Sequence, residues 1–219
     1  MMLVIENLIT PVEAQVLREA AADLAFDDGR KTAGRFAVTV KANDQASPSP
    51  ELDAVLAKVG AALAGNTVFR SAARPKALTR LILSRYRQGQ TYGLHVDDAL
   101  MQGIRTDLSF TLFLAEPASY DGGALIIEDS FEARAIKLNP GDMILYPSTT
   151  LHRVEEVTRG ERLAVVGWAQ SLIRSADQRE ILFDLDRAID TIHTQDGKST
   201  LCDSLTKTRS NLLRLWAEP

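Results

Sequence analysis

The chain has 219 residues and is poor in several features that would point to particular classes of protein. It contains one cysteine, Cys202, so no disulfide can form within the chain. Lysine and arginine number 25 against 29 aspartate and glutamate, and the resulting net charge of −4 argues against a nucleic-acid partner. No apolar run reaches the roughly 20 residues that cross a bilayer, so no membrane association is expected.

The first residues also lack the basic segment and the long apolar run of a secretory signal. We therefore expect the protein in the cytoplasm, where thiols stay reduced. Hydrophobic residues make up 45% and charged residues 25% of the chain, as in an ordinary globular protein. The length suits one domain with an appendage. The pattern predicts N-terminal helices and strands over residues 1–77, a β-rich core over 78–172 and a helical extension over 173–219.

The N-terminal segment combines short strands with amphipathic helices. Residues 2–7 are typical of a strand, and Thr10 with Glu13 three residues later forms a capping box that begins a helix. The alternation at residues 36–40 predicts another strand, and residues 43–49 are expected to be a loop. Ser49 followed by proline predicts a second helix that ends near Gly65.

The sequence pattern of the central segment is typical of an all-β core, because short β-branched runs alternate with turn sequences. Strands at this spacing favour two packed sheets. We predict an α+β protein whose core is a double-stranded β-helix, or jelly roll, with an open mouth as the natural ligand site. The predicted strands are residues 78–86, 108–116, 124–128, 133–138, 143–146, 152–157 and 162–171.

The helical period returns after the core. Ser175 begins one predicted helix, and residues 204–216 form a second. Amphipathic helices usually bury their apolar stripe against their own domain, so we expect both to pack on the outside of the core. A homo-oligomer interface or a substrate clamp is the alternative role. His193 is expected on the exposed side of the first of these helices.

A His-x-Asp pair, His95 and Asp97, lies at the rim of the predicted core. Residues at i and i+2 share one side of an extended segment, so both side chains can reach one metal ion. Two imidazoles and one carboxylate form the facial triad of Fe(II) oxygenases, and His152 begins a strand on the same rim. The alternative is a surface His-x-Asp with an unrelated loop histidine, since the pair alone is a weak motif.

Arg162 opens a strand of otherwise apolar residues. A buried guanidinium needs an anion, and its fork geometry suits bidentate binding of a carboxylate. The alternative is a surface arginine that pairs with Glu155 or Glu161. Its interior placement would therefore indicate a small-anion site.

The turn before Arg162 allows a geometric prediction. For His152 and Arg162 to face the same side of a hairpin, the loop must hold an odd number of residues. We predict a three-residue loop at 159–161 with Gly160 at positive φ.

These residues resemble the Fe(II)- and 2-oxoglutarate-dependent dioxygenases of the prolyl/lysyl hydroxylase type. More narrowly, the chain is similar to the bacterial PKHD-type hydroxylases along nearly its whole length. The similarity rests on Asp28-Gly29-Arg30-x-Thr32-Ala33-Gly34, Val40-Lys41, Arg85-Tyr86, Gly93-x-His95-Val96-Asp97, Tyr120-Asp121-Gly122-Gly123, Pro140-Gly141-Asp142 and the C-terminal helices.

The resemblance implies His95, Asp97 and His152 as iron ligands and Arg162 as the partner of the far carboxylate of 2-oxoglutarate. Tyr86 matches a tyrosine beside the co-substrate. It also implies O₂ as oxidant, release of succinate and CO₂, and L-ascorbate as the reductant that restores oxidised iron. The substrate would be a peptidyl proline or lysine, or a small molecule.

Two departures from the family pattern stand out. Thr111 occurs near the point where some prolyl hydroxylases carry a further co-substrate tyrosine, and the acid Asp98 follows Asp97 without an assigned role.

Two rival functions stay open. A cupin-like module that binds a small anion or a metal would typically use three histidines and a glutamate, whereas this chain has only two histidines, His95 and His152, in the predicted core. A zinc hydrolase would leave Arg162 unexplained.

Overall fold

The computed structural model describes residues 1–128 and 132–218. Residues 129–131 of the predicted core and Pro219 of the predicted extension lie outside the described residues. The helices are α1 Pro11–Ala22, α2 Pro50–Gly65, α3 Thr67–Ala73, α4 Ala176–Asp196 and α5 Thr200–Trp216. The strands are β1 Leu3–Ile5, β2 Phe26–Asp28, β3 Lys41–Ala42, β4 Asp44–Ala46, β5 Pro75–Leu78, β6 Ile82–Arg87, β7 Thr91–His95, β8 Leu100–Met101, β9 Ile104–Arg105, β10 Leu108–Phe113, β11 Asp121–Gly122, β12 Leu125–Glu128, β13 Ala133–Ile136, β14 Met143–Pro147, β15 His152–Val154, β16 Val157–Arg159 and β17 Glu161–Ser171.

Two antiparallel sheets carry most of these strands. The larger sheet has eight strands in the order β1-β14-β10-β17-β6-β4-β2, with β5 also paired to β17. The smaller has five strands in the order β13-β12-β15-β7-β3. Strands β11 and β16 pair with each other, as do β8 and β9. The sheet-rich centre that the sequence predicted is therefore present.

The core lies where both sheets turn their apolar faces inward. Leu112 and Val165 of the larger sheet and Ile127 of the smaller are fully buried. Each such side chain contributes about 1.5–3 kcal/mol through its removal from water. The strand β10 is buried at every residue, including its two hydroxyl residues Ser109 and Thr111.

The N-terminal residues add strands to both sheets. Strand β1 pairs with β14, β4 pairs with β6, and β3 pairs with β7. The prediction of a loop over residues 43–49 was wrong in part, because Asp44–Ala46 forms β4. The hydrogen bonds of this short polar strand come from partners distant in the sequence.

The predicted strand at residues 36–40 was also wrong, since Ala37–Val40 is a 3₁₀ helix. Phe36 is 81% exposed, so the alternation of apolar residues does not mark a buried face. The hydroxyl of Thr39 donates to the carbonyl of Phe36 at 2.8 Å. Such local side-chain bonds compete with sheet formation.

Two further predicted strands are interrupted. The run 78–86 divides into β5 and β6, and the run 152–157 divides into β15 and β16. Strand β16 pairs with β11 in place of the five-stranded sheet. The chain therefore bends at both points within stretches of uniform β composition.

The predicted starts of α1, α2 and α4 are confirmed, whereas α5 begins at Thr200, four residues before the predicted start at residue 204. Thr10 and Glu13 form the reciprocal capping box of α1, and the hydroxyls of Ser49 and Ser175 accept backbone N–H groups at the starts of α2 and α4. Along the described residues, no single helix has the length and apolar character of a membrane span. Only α2 and α3 taken together do, and they are bent by 77°.

The C-terminal helices pack on each other, and α4 also packs on α3. Their contact centres on Asp186, whose carboxylate accepts from Arg74 of the α3 terminus at 2.5 Å, from Ser71 and from Arg209 of α5. Burial lowers the pKa of Arg74, although Asp186 counteracts this shift. This ion cluster ties the extension to the rest of the protein.

We expect Asp186→Ala to lower the free energy of unfolding by about 3 kcal/mol, because it leaves two partly buried guanidinium groups without their carboxylate. Urea denaturation measures the change. The matched control is Asp190→Ala, one turn further along α4 and exposed, which should change stability by less than about 0.5 kcal/mol. Equal effects of the two substitutions would contradict the role of the cluster.

Candidate metal and co-substrate site

Two histidines meet across neighbouring strands of the five-stranded sheet. His95 ends β7 and His152 begins β15, and the two residues are direct cross-strand partners. Their ring centroids lie 4.3 Å apart. Both side chains are largely buried, with exposures of 9% and 5%. The sequence separates them by 57 positions, so the pairing of the two strands is what brings them together.

Hydrogen bonds to the backbone fix the orientation of both rings. The Nδ1 of His95 lies 2.8 Å from the carbonyl oxygen of Gly93, and the Nδ1 of His152 lies 3.0 Å from that of Thr150. A carbonyl oxygen only accepts, so each Nδ1 must carry the proton. In a neutral ring, Nε2 then keeps its lone pair, which is the arrangement found in metal-binding histidines.

Asp97 supplies a carboxylate to the same point. Its Oδ2 lies 3.8 Å from the Nε2 of His152 and accepts a hydrogen bond from the hydroxyl of Ser109 at 2.6 Å. Ser109 in turn contacts the hydroxyl of Ser148 at 2.8 Å. These hydroxyls come from β10 and from the segment after β14, so the larger sheet orients the carboxylate.

The three ligand atoms of His95, Asp97 and His152 lie within 4.8 Å of one another. The alternative of a surface pair with an unrelated histidine is therefore wrong. His193, the third histidine, is exposed on α4, as the sequence predicted. The cluster has the donor set of two imidazoles and one carboxylate that suits Fe(II).

Burial keeps the imidazole of His95 neutral. The pKa of His95 is lowered to about 4, mainly because burial penalises the charged ring and also because His152 is so close. The ring of Tyr92 stacks on His95 at 3.6 Å, and Tyr146 approaches His152 edge-on at 5.2 Å. A neutral imidazole is the form that binds a metal ion.

Arg162 lies in the interior with 1% exposure and forms no salt bridge with any described residue. Its Nε has no hydrogen-bond partner in the described part of the chain. The alternative of a surface arginine is wrong, because Glu161 faces Arg85 and Arg87 and Glu155 makes no ion pair with Arg162. An unpaired buried cation is costly, which indicates a site for an anion.

Aromatic rings surround this guanidinium. Its central carbon lies 5.2 Å from the ring of Tyr86, the cross-strand partner on β6, and 5.3 Å from that of Phe113. Burial raises the pKa of Tyr86 to about 12, although Arg162 opposes the shift. Tyr86 therefore keeps its proton and offers a neutral hydroxyl beside the cation.

The predicted hairpin between His152 and Arg162 was wrong, although Gly160 does have a positive φ of 76°. His152 belongs to the five-stranded sheet and Arg162 to the eight-stranded one. The turn at Gly160 carries the chain from one side of the core to the other. His152 and Arg162 line the same cavity because both sheets border it. The number of residues in the loop does not determine whether they face each other.

Gly160 also permits a close approach of two backbone segments. A Cβ there would stand 2.2 Å from the carbonyl oxygen of Ser119. We expect Gly160→Ala to cost at least about 2 kcal/mol of stability, since the left-handed conformation alone costs roughly 1–2 kcal/mol. Guanidinium denaturation measures it. Gly89→Ala is the control, because Gly89 has φ 82° with no atom within 4 Å of the added Cβ. Equal losses would contradict the packing argument.

One cavity of about 500 Å³ contains the whole arrangement. The metal cluster, Arg162 and Tyr86 all line it, and its size lies within the range of small-molecule sites. Asp98 also lines the cavity but is exposed, and its carboxylate lies beside Gly34. The predicted site residues thus share one cavity.

Several lining residues were missed from the sequence. Ser109 was detectable, because it alternates with apolar residues on β10 and so marks a polar point on an inward face. Tyr146 and Tyr92 carried no distinguishing signal among the aromatic residues of the core. Lys41, which is 8% exposed on β3, appeared only within a matched motif and without a role.

The comparisons with known proteins agree with this geometry. The family described as the 2OG-Fe(II) oxygenase superfamily matches residues 81–170, and the PKHD-type hydroxylase C-terminal domain matches residues 177–218. A PKHD-type hydroxylase from Maricaulis maris is 47% identical over 218 residues, covering 100% of each chain.

Two solved structures share the fold at low sequence identity. A prolyl-4-hydroxylase from Pseudomonas putida is 18% identical, with a TM-score of 0.54 over 78% of this chain and 92% of its own. HygX from Streptomyces hygroscopicus, solved with nickel and 2-oxoglutarate bound, is 14% identical, with a TM-score of 0.56 over 78% of this chain and 84% of its own.

Proposed function

The chain belongs to the PKHD-type hydroxylases of the 2OG-Fe(II) oxygenase superfamily, and from that premise we propose that it converts a C–H bond of its substrate to C–OH. It is a 2-oxoglutarate-dependent Fe(II) hydroxylase by family. The observation that carries the proposal is one cavity that holds both a His/Asp/His cluster and an unpaired buried arginine.

We assign Fe(II) to His95, Asp97 and His152. The fit is chemical, since two imidazoles whose Nδ1 atoms are hydrogen-bonded to backbone carbonyls and one carboxylate would offer three donors to the ion. Ser109 holds the Asp97 carboxylate in place. Such supporting hydrogen bonds tune a metal site nearly as much as the ligands do.

We assign the far carboxylate of 2-oxoglutarate to Arg162, with Tyr86 beside it. The unpaired Nε and the near-complete burial of the guanidinium support this assignment. Bound there, Fe(II) and 2-oxoglutarate supply the oxidation, in which one oxygen atom of O₂ enters the substrate and the other enters succinate as CO₂ is released. The protein orients the reactants and excludes water.

We further propose that the two sheets form a double-stranded β-helix, with the site at its mouth. Support comes from the antiparallel order of both sheets and from residues of each that line the cavity.

Use of L-ascorbate, location in the cytoplasm and self-association through α4 and α5 stay predictions. Leu201 and Leu215 of α5, which are 57% and 75% exposed, are the residues at which self-association is best tested.

The proposal is tested by anaerobic assembly of the protein with Fe(II) and 2-oxoglutarate, followed by exposure to O₂ with and without ascorbate. We expect succinate to form slowly even without substrate, and an absorption band to appear when 2-oxoglutarate chelates the iron. The binding-module alternative predicts no succinate and a 2-oxoglutarate affinity that does not depend on metal. That pair of results would overturn the proposal.

A further inference from the structure

A second buried cation lies in the same cavity. Lys41 of β3 is 8% exposed and is the cross-strand partner of Tyr92 on β7. Its ammonium lies 4.9 Å from the centre of the Tyr92 ring, and the same ring stacks on His95 at 3.6 Å. Lys41 is therefore separated from a proposed iron ligand by one aromatic residue.

Lys41 has no carboxylate partner within 4 Å among the described residues. Its ammonium donates to the hydroxyl of Thr32 at 3.2 Å, and that hydroxyl also contacts the side chain of Gln45 at 2.8 Å. The two acids that attract it are Asp97 and Asp28. Asp28 is bound by Arg30, and Asp97 belongs to the metal cluster.

The surroundings do not compensate for the burial of this charge. Removal from water lowers the pKa of Lys41 to about 8, in spite of the two acids. One neutral hydroxyl does not replace the hydration that a buried ammonium has lost, whereas a hydrogen-bonded anion offsets part of that loss. The side chain is therefore placed for a negatively charged ligand.

The charges in the filled site indicate the charge that a further ligand should carry. Fe(II) carries two positive charges and Arg162 one, while Asp97 carries one negative charge and 2-oxoglutarate two. These charges cancel. Lys41 is then left with one positive charge. The other charged residues that line the cavity do not offset it, because Asp27, Asp28 and Lys31 are held in surface ion pairs and Arg80 and Asp98 are exposed and screened by water. A single carboxylate would neutralise the site, whereas a phosphate dianion would exceed it.

Resting on the proposed function, we propose that Lys41 binds a carboxylate of the primary substrate, which is therefore a small organic acid. A peptidyl proline brings no charge to this point, and a peptidyl lysine would bring a second ammonium next to the first. The cavity of about 500 Å³ has the volume of a small-molecule site. The substrate carboxylate would lie at Lys41, and the C–H bond to be oxidised would face the metal cluster.

The test compares acids with their neutral amides. The probes are 4-fluorobenzoate with 4-fluorobenzamide, and N-acetyl-L-proline with N-acetyl-L-prolinamide, observed by ligand NMR. They are added to anaerobic protein saturated with 2-oxoglutarate and Fe(II), so that Arg162 is already occupied. We expect each acid to bind more tightly than its amide, and Lys41→Met to weaken acid binding by about 10- to 100-fold, as for loss of a charged hydrogen bond.

Control variants separate this role from a structural one. Lys31→Met removes a lysine that also lines the cavity but is 66% exposed and paired with Asp27, so acid binding should persist. Lys41→Arg should restore part of the binding. If Lys41 only supported Asp97, then Lys41→Met would weaken iron binding and lower the melting temperature. We expect iron and 2-oxoglutarate binding to be unchanged and the melting temperature to stay equal or rise.

A second titration distinguishes failure of the proposed function from failure of this inference. The same acids and amides are titrated into metal-free Arg162→Met protein, in which Lys41 is the remaining buried unpaired cation of the cavity within the described residues, because Arg80, which also lines it, is exposed. Absence of iron binding would overturn the proposed function and leave this comparison intact. Acids that bind no better than their amides, or that bind Lys41→Met as well as the unaltered protein, would overturn the inference.

Discussion

Replacing His95 with alanine is expected to lower Fe(II) affinity by more than about 100-fold, because even residues that only support a metal ligand cost 10- to 100-fold when they are removed. On the proposed assignment, the substitution removes one of three ligands, and its Nε2 lies within 4.8 Å of the other two. The measurement is anaerobic titration of the protein with Fe(II), followed by the absorption band of the 2-oxoglutarate complex. Succinate formation should fall in parallel.

His193→Ala is the matched control for this prediction. His193 is exposed on α4 and takes no part in the cluster, so the same substitution should leave Fe(II) affinity unchanged. Equal melting temperatures of the two variants would show that the loss is local, since His95 is buried and its removal leaves a space beside Tyr92. Full iron binding by the His95 variant would contradict the assignment of the cluster.

Much of the site was predictable because its chemistry is concentrated in short sequence patterns. The spacing of His95 and Asp97 shows that both can reach one side of the chain, and Arg162 is conspicuous as a charge in an apolar strand. A charge in such a strand needs a partner whatever the fold is. These inferences rest on local sequence, so they hold even where the predicted strand pairing is wrong.

The parts that failed depend on contacts between distant residues. The hairpin argument assumed that β15 and β17 are neighbours, but β17 pairs with β6 and β10 in the other sheet. Gly160 was correctly predicted to have positive φ, because glycine at a tight turn is a local signal. The sheet that the chain enters after that turn is defined by the pairing of β17 with β6 and β10, whose residues are distant in the sequence.

Lys41 illustrates the same limit. Its neighbours Thr32 and Gln45 come from separate segments, and residues 36–40 before it were predicted as a strand that the structure lacks. Read as part of a polar N-terminal stretch, the lysine has no distinguishing feature. Its burial is a product of the pairing of β3 with β7, which composition does not reveal.

Replacing Arg162 with methionine is expected to weaken 2-oxoglutarate binding by about 2–5 kcal/mol, the range for removing one member of a buried ion pair, or between about thirty- and several-thousand-fold. Methionine fills a similar volume without charge, and Arg162 has no anionic partner among the described residues when the co-substrate is absent. The stability of the free protein should therefore stay equal or rise, since an unpaired buried cation is removed. Calorimetric titration of anaerobic Fe(II)-loaded protein measures the affinity.

The combination of a large loss in binding with no loss in stability separates a ligand anchor from a structural arginine. A residue that held the sheet together would lose stability when truncated, and co-substrate affinity would follow only indirectly. Arg159→Met is the control on the other side of the same turn, because Arg159 is 62% exposed and paired with Asp121. It should leave 2-oxoglutarate affinity unchanged. If the Arg162 variant binds 2-oxoglutarate as tightly as the control does, the far carboxylate lies elsewhere.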